Sequence, residues 1–131
     1  MILYGLFSEE PLQCTPEGGR IYRKLKSVAS GIDNTRPFTG STQRTTICCD
    51  IEDSALHPQD VAGVNYEVWF WEKIHKKFPE KAILATEMTC TQTMRGELEY
   101  SPEKHLFDDY SCQNHCFGMT AFETWKWVRE N

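Results

Sequence analysis

The 131-residue sequence has no long apolar run and little positive charge. No stretch approaches the roughly eighteen apolar residues that a membrane-spanning helix needs. The opening segment MILYGLF lacks the basic flank and the small-residue cleavage site of a signal peptide. Fourteen Lys and Arg against nineteen Asp and Glu give a net charge of −5, which argues against the clustered basic surface that nucleic-acid phosphates require. We therefore expect a cytoplasmic protein with no membrane and no nucleic-acid partner.

A recognisable cysteine pattern is also lacking. The spacing of the six cysteines matches no disulfide framework, so we expect free, buried thiols in a reducing compartment. The segment CQNHC places His115 between Cys112 and Cys116, but a structural zinc site needs a second ligand pair that the sequence does not show. We predict no metal and no cofactor. The alternative, a small cysteine-rich metal protein, would hold zinc in equimolar amount.

Apolar stretches alternate with helical patterns along the chain. The apolar stretches predict strands at residues 2–7, 37–42, 60–66 and 82–88. Helical spacing of apolar residues, together with capping and helix-stopping residues, predicts helices over 15–31, 67–78 and 120–130. The polar composition of residues 41–59 and 89–119 predicts loops. An alternating order of strands and helices is typical of an α/β protein with a parallel sheet.

The first predicted helix has clear boundaries. Thr15 is its expected N-cap and Gly31 its expected stop. Ile21, Leu25 and Val28 follow the i, i+4, i+7 spacing, so we expect this face to be buried.

Three predicted strands end in polar groups that could form a site. These groups are Ser8-Glu9-Glu10, Asn65-Tyr66 and Thr86-Glu87. Chemistry in parallel α/β folds gathers at the carboxyl ends of strands. We therefore expect these side chains to lie at one edge of the sheet.

Two carboxylates that converge from different strands suit glycoside hydrolysis. One carboxyl group protonates the leaving oxygen while the other attacks the sugar or activates water, and their separation decides whether configuration is retained. A tyrosine hydroxyl such as that of Tyr66 can hold the attacking carboxylate by hydrogen bonding. The residues alone leave two questions open. Either Glu9 or the adjoining Glu10 could be the carboxylate of the pair, and a glutamate at the end of a strand is often exposed to solvent without any function.

A resemblance to a known family bears on those questions. The segments SEEPLQCTPEGGRI, DNTRPFTGS, DVAGVNYE and IHKKFPEKAILATEMTCTQTMRGELEY occur in this order over nearly the whole chain. Together they resemble the catalytic barrel of glycoside hydrolase family 2, in particular its β-galactosidase branch. The resemblance implies a partial (β/α)₈ barrel, about strands four to seven with their helices. It further implies hydrolysis of β-D-galactosides with retention, through a covalent glycosyl-enzyme.

The resemblance implies a role for individual residues. Glu9 matches the acid/base and Glu87 the nucleophile, while Asn65 and Tyr66 match the pair in which the tyrosine assists the nucleophile. Asn65 and Tyr66 are also expected to bind the substrate. Ser8 departs from the family pattern, because it stands where an asparagine binds the sugar 2-hydroxyl. We also expect Arg95, eight residues beyond Glu87, to steer a substrate hydroxyl, with a loop salt bridge as the alternative reading.

The chain is short for a whole barrel, which takes about 250 residues. We therefore expect residues 1–131 to be a single partial catalytic domain, a fragment of a larger multidomain enzyme. A half-barrel exposes two sheet edges, and such edges favour self-association. The alternatives to a β-galactosidase are a catalytically inactive fragment, a half-barrel interaction module, or β-glucuronidase-type specificity in the parent enzyme.

Overall fold

The computed structural model describes residues 2–87, 99, 101–104 and 121–130. It divides the chain into two compact units, residues 1–88 and 89–131. The elements of the first unit are β1 (Tyr4–Ser8), α1 (Pro16–Ile32), β2 (Phe38–Ser41), α2 (Thr45–Asp50), β3 (Ala62–Asn65), a 3₁₀ turn (Val68–Phe70), α3 (Trp71–Lys77) and β4 (Ile83–Glu87). The second unit contains a 3₁₀ turn (Pro102–Lys104) and α4 (Ala121–Glu130). No helix in these ranges is long and apolar enough to span a membrane.

The four strands of the first unit are parallel and follow chain order. β1 pairs with β2, and β3 pairs with β4. A parallel bridge between Thr42 and Val64 links the two pairs. Since a helix joins the two strands of each pair, the unit contains two βαβ crossovers, as the alternating sequence pattern predicts. The assignment to strands four to seven of a barrel stays a prediction.

The core lies between β3 and the helices α2 and α3. Its buried apolar members are Cys48, Cys49, Leu56, Ala62, Val64, Ile74 and Phe78. Ile74 is completely buried on α3, and Phe78 follows at the end of that helix within the 67–78 segment predicted to be helical. An ion pair of 2.7 Å between Lys73 and Asp50 adds a surface contact between α3 and α2.

Helix α1 begins as predicted, but it continues past the expected stop at Gly31 to Ile32 and buries a different face. The Thr15 hydroxyl accepts a hydrogen bond from the Gly18 amide at 3.1 Å, which confirms the N-cap. The prediction that Ile21, Leu25 and Val28 are buried is wrong, since 37%, 43% and 63% of their surfaces are exposed. The buried residues of α1 are Gly18, Gly19 and Tyr22. Two glycines without side chains let the helix backbone approach the loops beneath it, a contact that hydrophobic periodicity does not detect.

Two sequence predictions are wrong, the loop over residues 41–59 and the free state of all the cysteines. The polar segment contains α2, a six-residue helix that buries Cys48 and Cys49 completely. Its sequence TTICCD has low helix propensity, so tertiary packing rather than local preference accounts for the helix. The cysteines are not all free either, because Cys14 and Cys48 form a disulfide. Cys49 is a free thiol, and burial raises its pKa.

The two glycines of α1 that differ most in surroundings are Gly19 and Gly31. A Cβ on Gly19 would lie 1.8 Å from the carbonyl oxygen of Asp53, whereas one on Gly31 would meet nothing within 4 Å. We predict that Gly19→Ala lowers the free energy of unfolding by about 1–3 kcal/mol through overpacking. Gly31→Ala, the control in the same helix, should raise it by up to about 1 kcal/mol through helix propensity. Urea denaturation measures both, and equal effects would contradict the packing of α1.

Candidate carboxylate site

Glu9 lies directly after β1 in a strained backbone conformation. Its amide donates to the carbonyl oxygen of Ser41 at 3.0 Å, which continues the pairing of β1 with β2. Its φ of 48° lies in the left-handed region, which is uncommon for residues other than glycine. The carboxylate Oε1 accepts a hydrogen bond of 2.6 Å from Nδ2 of Asn65. A side chain at the end of β3 thus holds a carboxylate that directly follows β1.

Glu87 is the last residue of β4 and is exposed. The hydroxyl of Tyr66 donates to its Oε2 at 2.5 Å. The same two residues are joined by their backbones, because the Tyr66 amide donates to the Glu87 carbonyl oxygen at 2.6 Å. Tyr66 also has a positive φ, of 57°. Two hydrogen bonds therefore fix the tyrosine beside the carboxylate.

Asn65 connects the two halves of this edge. It is completely buried and is paired with Glu87 in the register of β3 and β4. Its Oδ1 accepts a hydrogen bond of 2.5 Å from the hydroxyl of Thr86, and its Nδ2 donates to Glu9. Of the side chains expected at one edge of the sheet, Glu9, Asn65 and Thr86 are joined by hydrogen bonds, and Tyr66 is bonded to Glu87.

The structure separates the two adjacent glutamates that the sequence leaves as alternatives. Glu9 lines a cavity of about 300 Å³ together with Gln43 and Arg44. Glu10 lines a different cavity, an apolar one of about 410 Å³ that also contains Tyr22. Only Glu9 is bonded to Asn65, so Glu9 is the better candidate for the carboxylate pair.

The structure gives less information about the other residues that were expected in a site. Ser8 is exposed at the end of β1 and is paired with Ser41. Arg95 lies outside the described residues, and so does the Cys112, His115 and Cys116 cluster. Within the described part of the chain, no three His, Cys, Asp or Glu side chains are grouped so that they could hold a metal ion.

The sequence pattern places Thr86 at this edge but does not indicate Glu67. Glu67 is a further carboxylate, with a φ of 44°, whose Oε2 accepts a hydrogen bond of 2.8 Å from the buried Thr45. The position of Glu67 directly after Asn65-Tyr66 is the sequence feature that could have indicated it. Its contact could not be predicted, because Thr45 belongs to α2, a helix that the sequence does not predict.

The fold and the site define an α/β protein that carries a pair of carboxylates at the carboxyl ends of parallel strands. Over 67% of its length the chain is similar to a crystal structure described as a glycosyl hydrolase family 2 member from Bacteroides cellulosilyticus DSM 14838, with 28% identity and a TM-score of 0.57. The chain spans only 12% of that protein. No protein-family model and no curated protein matches the chain. The similarity supports a relationship to family 2 glycosyl hydrolases.

The loop that follows Glu9 is anchored to the segment around α2. The Gln43 amide donates to Oε1 of Gln13 at 3.0 Å, and Gln13 is buried. The Cys14–Cys48 disulfide adds a covalent link across 34 positions of sequence. Because Gln13, Cys14 and Gln43 all line the cavity beside Glu9, these links maintain its wall.

Removal of this disulfide should destabilise the protein. We predict that Cys14→Ser lowers the free energy of unfolding by about 2–4 kcal/mol, since a link across a loop of this size restricts the unfolded chain. Cys49→Ala, which removes the neighbouring free thiol and keeps the link, should have a smaller effect. A peptide map without reductant should contain a species that joins the Cys14 and Cys48 peptides. Alkylation of both cysteines in unreduced, denatured protein would contradict the disulfide.

Proposed function

We propose that this chain is part of a retaining glycoside hydrolase that cleaves O-glycosyl bonds of β-D-galactosides. The similarity to a family 2 glycosyl hydrolase supports the reaction class. The observation that carries the proposal is the arrangement of the two glutamates, each bonded to a donor from β3 or the residue after it. In this proposal the chain supplies strands four to seven of a (β/α)₈ barrel.

The two glutamates have different tasks in the reaction. Glu87 attacks the anomeric carbon and forms the glycosyl-enzyme bond, while Glu9 donates its proton to the departing glycosidic oxygen. Glu9, now ionised, then takes a proton from a water molecule, and that water displaces Glu87 from the sugar. Both steps invert the anomeric carbon, so the overall reaction retains configuration.

The tyrosine contact supports the assignment of Glu87 as nucleophile. The Tyr66 hydroxyl occupies Oε2, which leaves Oε1 as the oxygen that attacks. This hydrogen bond holds the carboxylate in one position at the end of β4. Glu87 is exposed, so a sugar has access to it.

The choice of a galactoside rests on the resemblance of the EEPLQ segment and of the segment after Glu87 to the β-galactosidase branch. β-Glucuronide specificity is the alternative within the same reaction class. A carbohydrate is the partner that this proposal requires. Ser8 and Arg95 are proposed to contact it, together with the two glutamates.

Hydrolysis of a panel of nitrophenyl β-glycosides tests this proposal. We predict turnover of the β-galactoside, with loss of about 10⁴-fold or more in kcat for Glu87→Gln because the nucleophile is removed. Glu9→Gln should reduce kcat by about 10²–10⁴-fold, the usual contribution of a general acid. Glu10→Gln is the matched control and should keep its activity. Turnover that survives Glu87→Gln, or no turnover by folded protein, would contradict the proposal for this chain.

A second candidate function, that of an interaction module, has an observation of its own. The exposed Ile21, Leu25 and Val28 lie along an open groove of about 620 Å³ that is lined mostly by apolar side chains. Among the described residues, β1 and β4 each pair on one side only. We propose a second copy of this chain as the occupant, since two sets of four parallel strands would supply the eight of a closed barrel.

The oligomeric state distinguishes this second candidate from a monomer. We predict that sedimentation equilibrium gives twice the mass of one chain, and that Leu25→Asp shifts the protein towards monomer because it places a charge on the apolar groove. Ser27→Asp introduces the same charge at an exposed position of α1 that does not line the groove, and should leave the mass unchanged. A monomer at all concentrations would rule out self-association.

A further inference from the structure

We propose that Asn65 and Thr86 are positioning residues for Glu9. Asn65 is expected from the sequence to bind substrate, but its side chain is completely buried and both of its polar atoms are engaged within the protein. It therefore acts through Glu9 and not through a direct contact with the sugar. This role rests on the proposed function, whereas the hydrogen bonds themselves do not.

The atom types fix the direction of these hydrogen bonds. Oε1 of Glu9 accepts from Nδ2 of Asn65, and it can do so both when Glu9 is ionised and when the proton is on Oε2. The acceptor Oδ1 then faces Thr86, whose hydroxyl must donate. A flipped amide would bring two acceptors together at 2.6 Å, the separation of Asn65 and Glu9. The hydroxyl of Thr86 thus selects the amide orientation that Glu9 needs.

This orientation decides which oxygen of Glu9 carries the proton. Because Nδ2 of Asn65 occupies Oε1, the proton that Glu9 gives to the departing oxygen resides on Oε2. The same atom receives the proton from water in the second step. Asn65 therefore prevents the proton from being held on the oxygen that faces the interior of the protein.

The arrangement also ties the two glutamates to one another. Thr86 and Glu87 are consecutive in β4, and Asn65 is paired with Glu87 in the register of β3 and β4. A displacement of the end of β4 would move the nucleophile and loosen Glu9 at the same time. The side chains of Thr86 and Asn65 thus couple the position of the acid/base to that of the nucleophile.

The hydrogen bonds can be tested without turnover, by NMR of the side-chain amide of Asn65 in the full chain. [¹⁵N]Asparagine labels four residues, and Asn65→Asp identifies the signal of interest. Thr86→Val removes the donor at nearly constant shape, Thr86→Ser keeps the donor, and Glu9→Gln removes the charged acceptor. We expect Thr86→Val and Glu9→Gln to shift the Asn65 amide signals and speed their exchange with solvent, and Thr86→Ser to restore the wild-type behaviour.

Kinetics then tests the role. On the β-glycoside that the wild type hydrolyses, we expect Thr86→Val to lower kcat by about 10- to 100-fold, the order expected for misplacement of a reacting group. KM should change by less than about twofold because the sugar contacts remain. Thr86→Ser should recover most of the activity. Equal kcat values for Thr86→Val and the wild type would overturn the positioning role.

The two measurements separate this inference from the proposed function. If the wild-type chain hydrolyses no glycoside, the proposed function fails for this chain and the positioning role fails with it, while the NMR result still decides whether the hydrogen bonds exist. If the Asn65 amide signals are insensitive to both Thr86→Val and Glu9→Gln, the inference is wrong whatever the activity. Backbone amide spectra of each variant show whether the fold is retained.

Discussion

The carboxamide of Asn65 lies at the carboxyl end of β3 with no access to solvent, and both of its polar atoms must find partners inside the protein. An unpaired buried donor or acceptor would cost about 1–3 kcal/mol. Thr86 satisfies one atom and Glu9 the other. Because these partners come from β4 and from the end of β1, one buried amide determines how three strand ends are arranged. The arrangement of the site depends on this constraint.

The same edge contains unusual backbone conformations. Among the described residues, five other than glycine have positive φ, and three of these are Glu9, Tyr66 and Glu67. A left-handed conformation costs about 1–2 kcal/mol for such residues. The cost is offset locally, because the amides of Glu9 and Tyr66 both bond to neighbouring strands and the Glu67 carboxylate accepts from Thr45. Strain of this kind concentrates at functional sites, which is consistent with the proposed role of the edge.

The sequence predicts those parts of the structure that depend on local signals. The four strands, the N-cap of α1 at Thr15 and the polar groups at the strand ends follow from apolar runs and cap chemistry. The helix α2 and the Cys14–Cys48 disulfide depend on contacts between distant segments, so neither periodicity nor spacing reveals them. The role of Asn65 belongs to the same class, since its partners are 21 and 56 positions away. Residue types indicate that a site exists, and long-range pairing decides which atom faces which.

The central claim is that Glu87 is a nucleophile and that its partner Glu9 is the acid/base. The most direct measurement is mass spectrometry of the chain after incubation with an activated β-galactoside whose fluorine substituent slows hydrolysis of the glycosyl-enzyme. Our account predicts one added fluorosugar per chain, attached to the peptide that contains Glu87 and absent in Glu87→Gln. A label on another residue, or a folded chain that acquires no label, would contradict it.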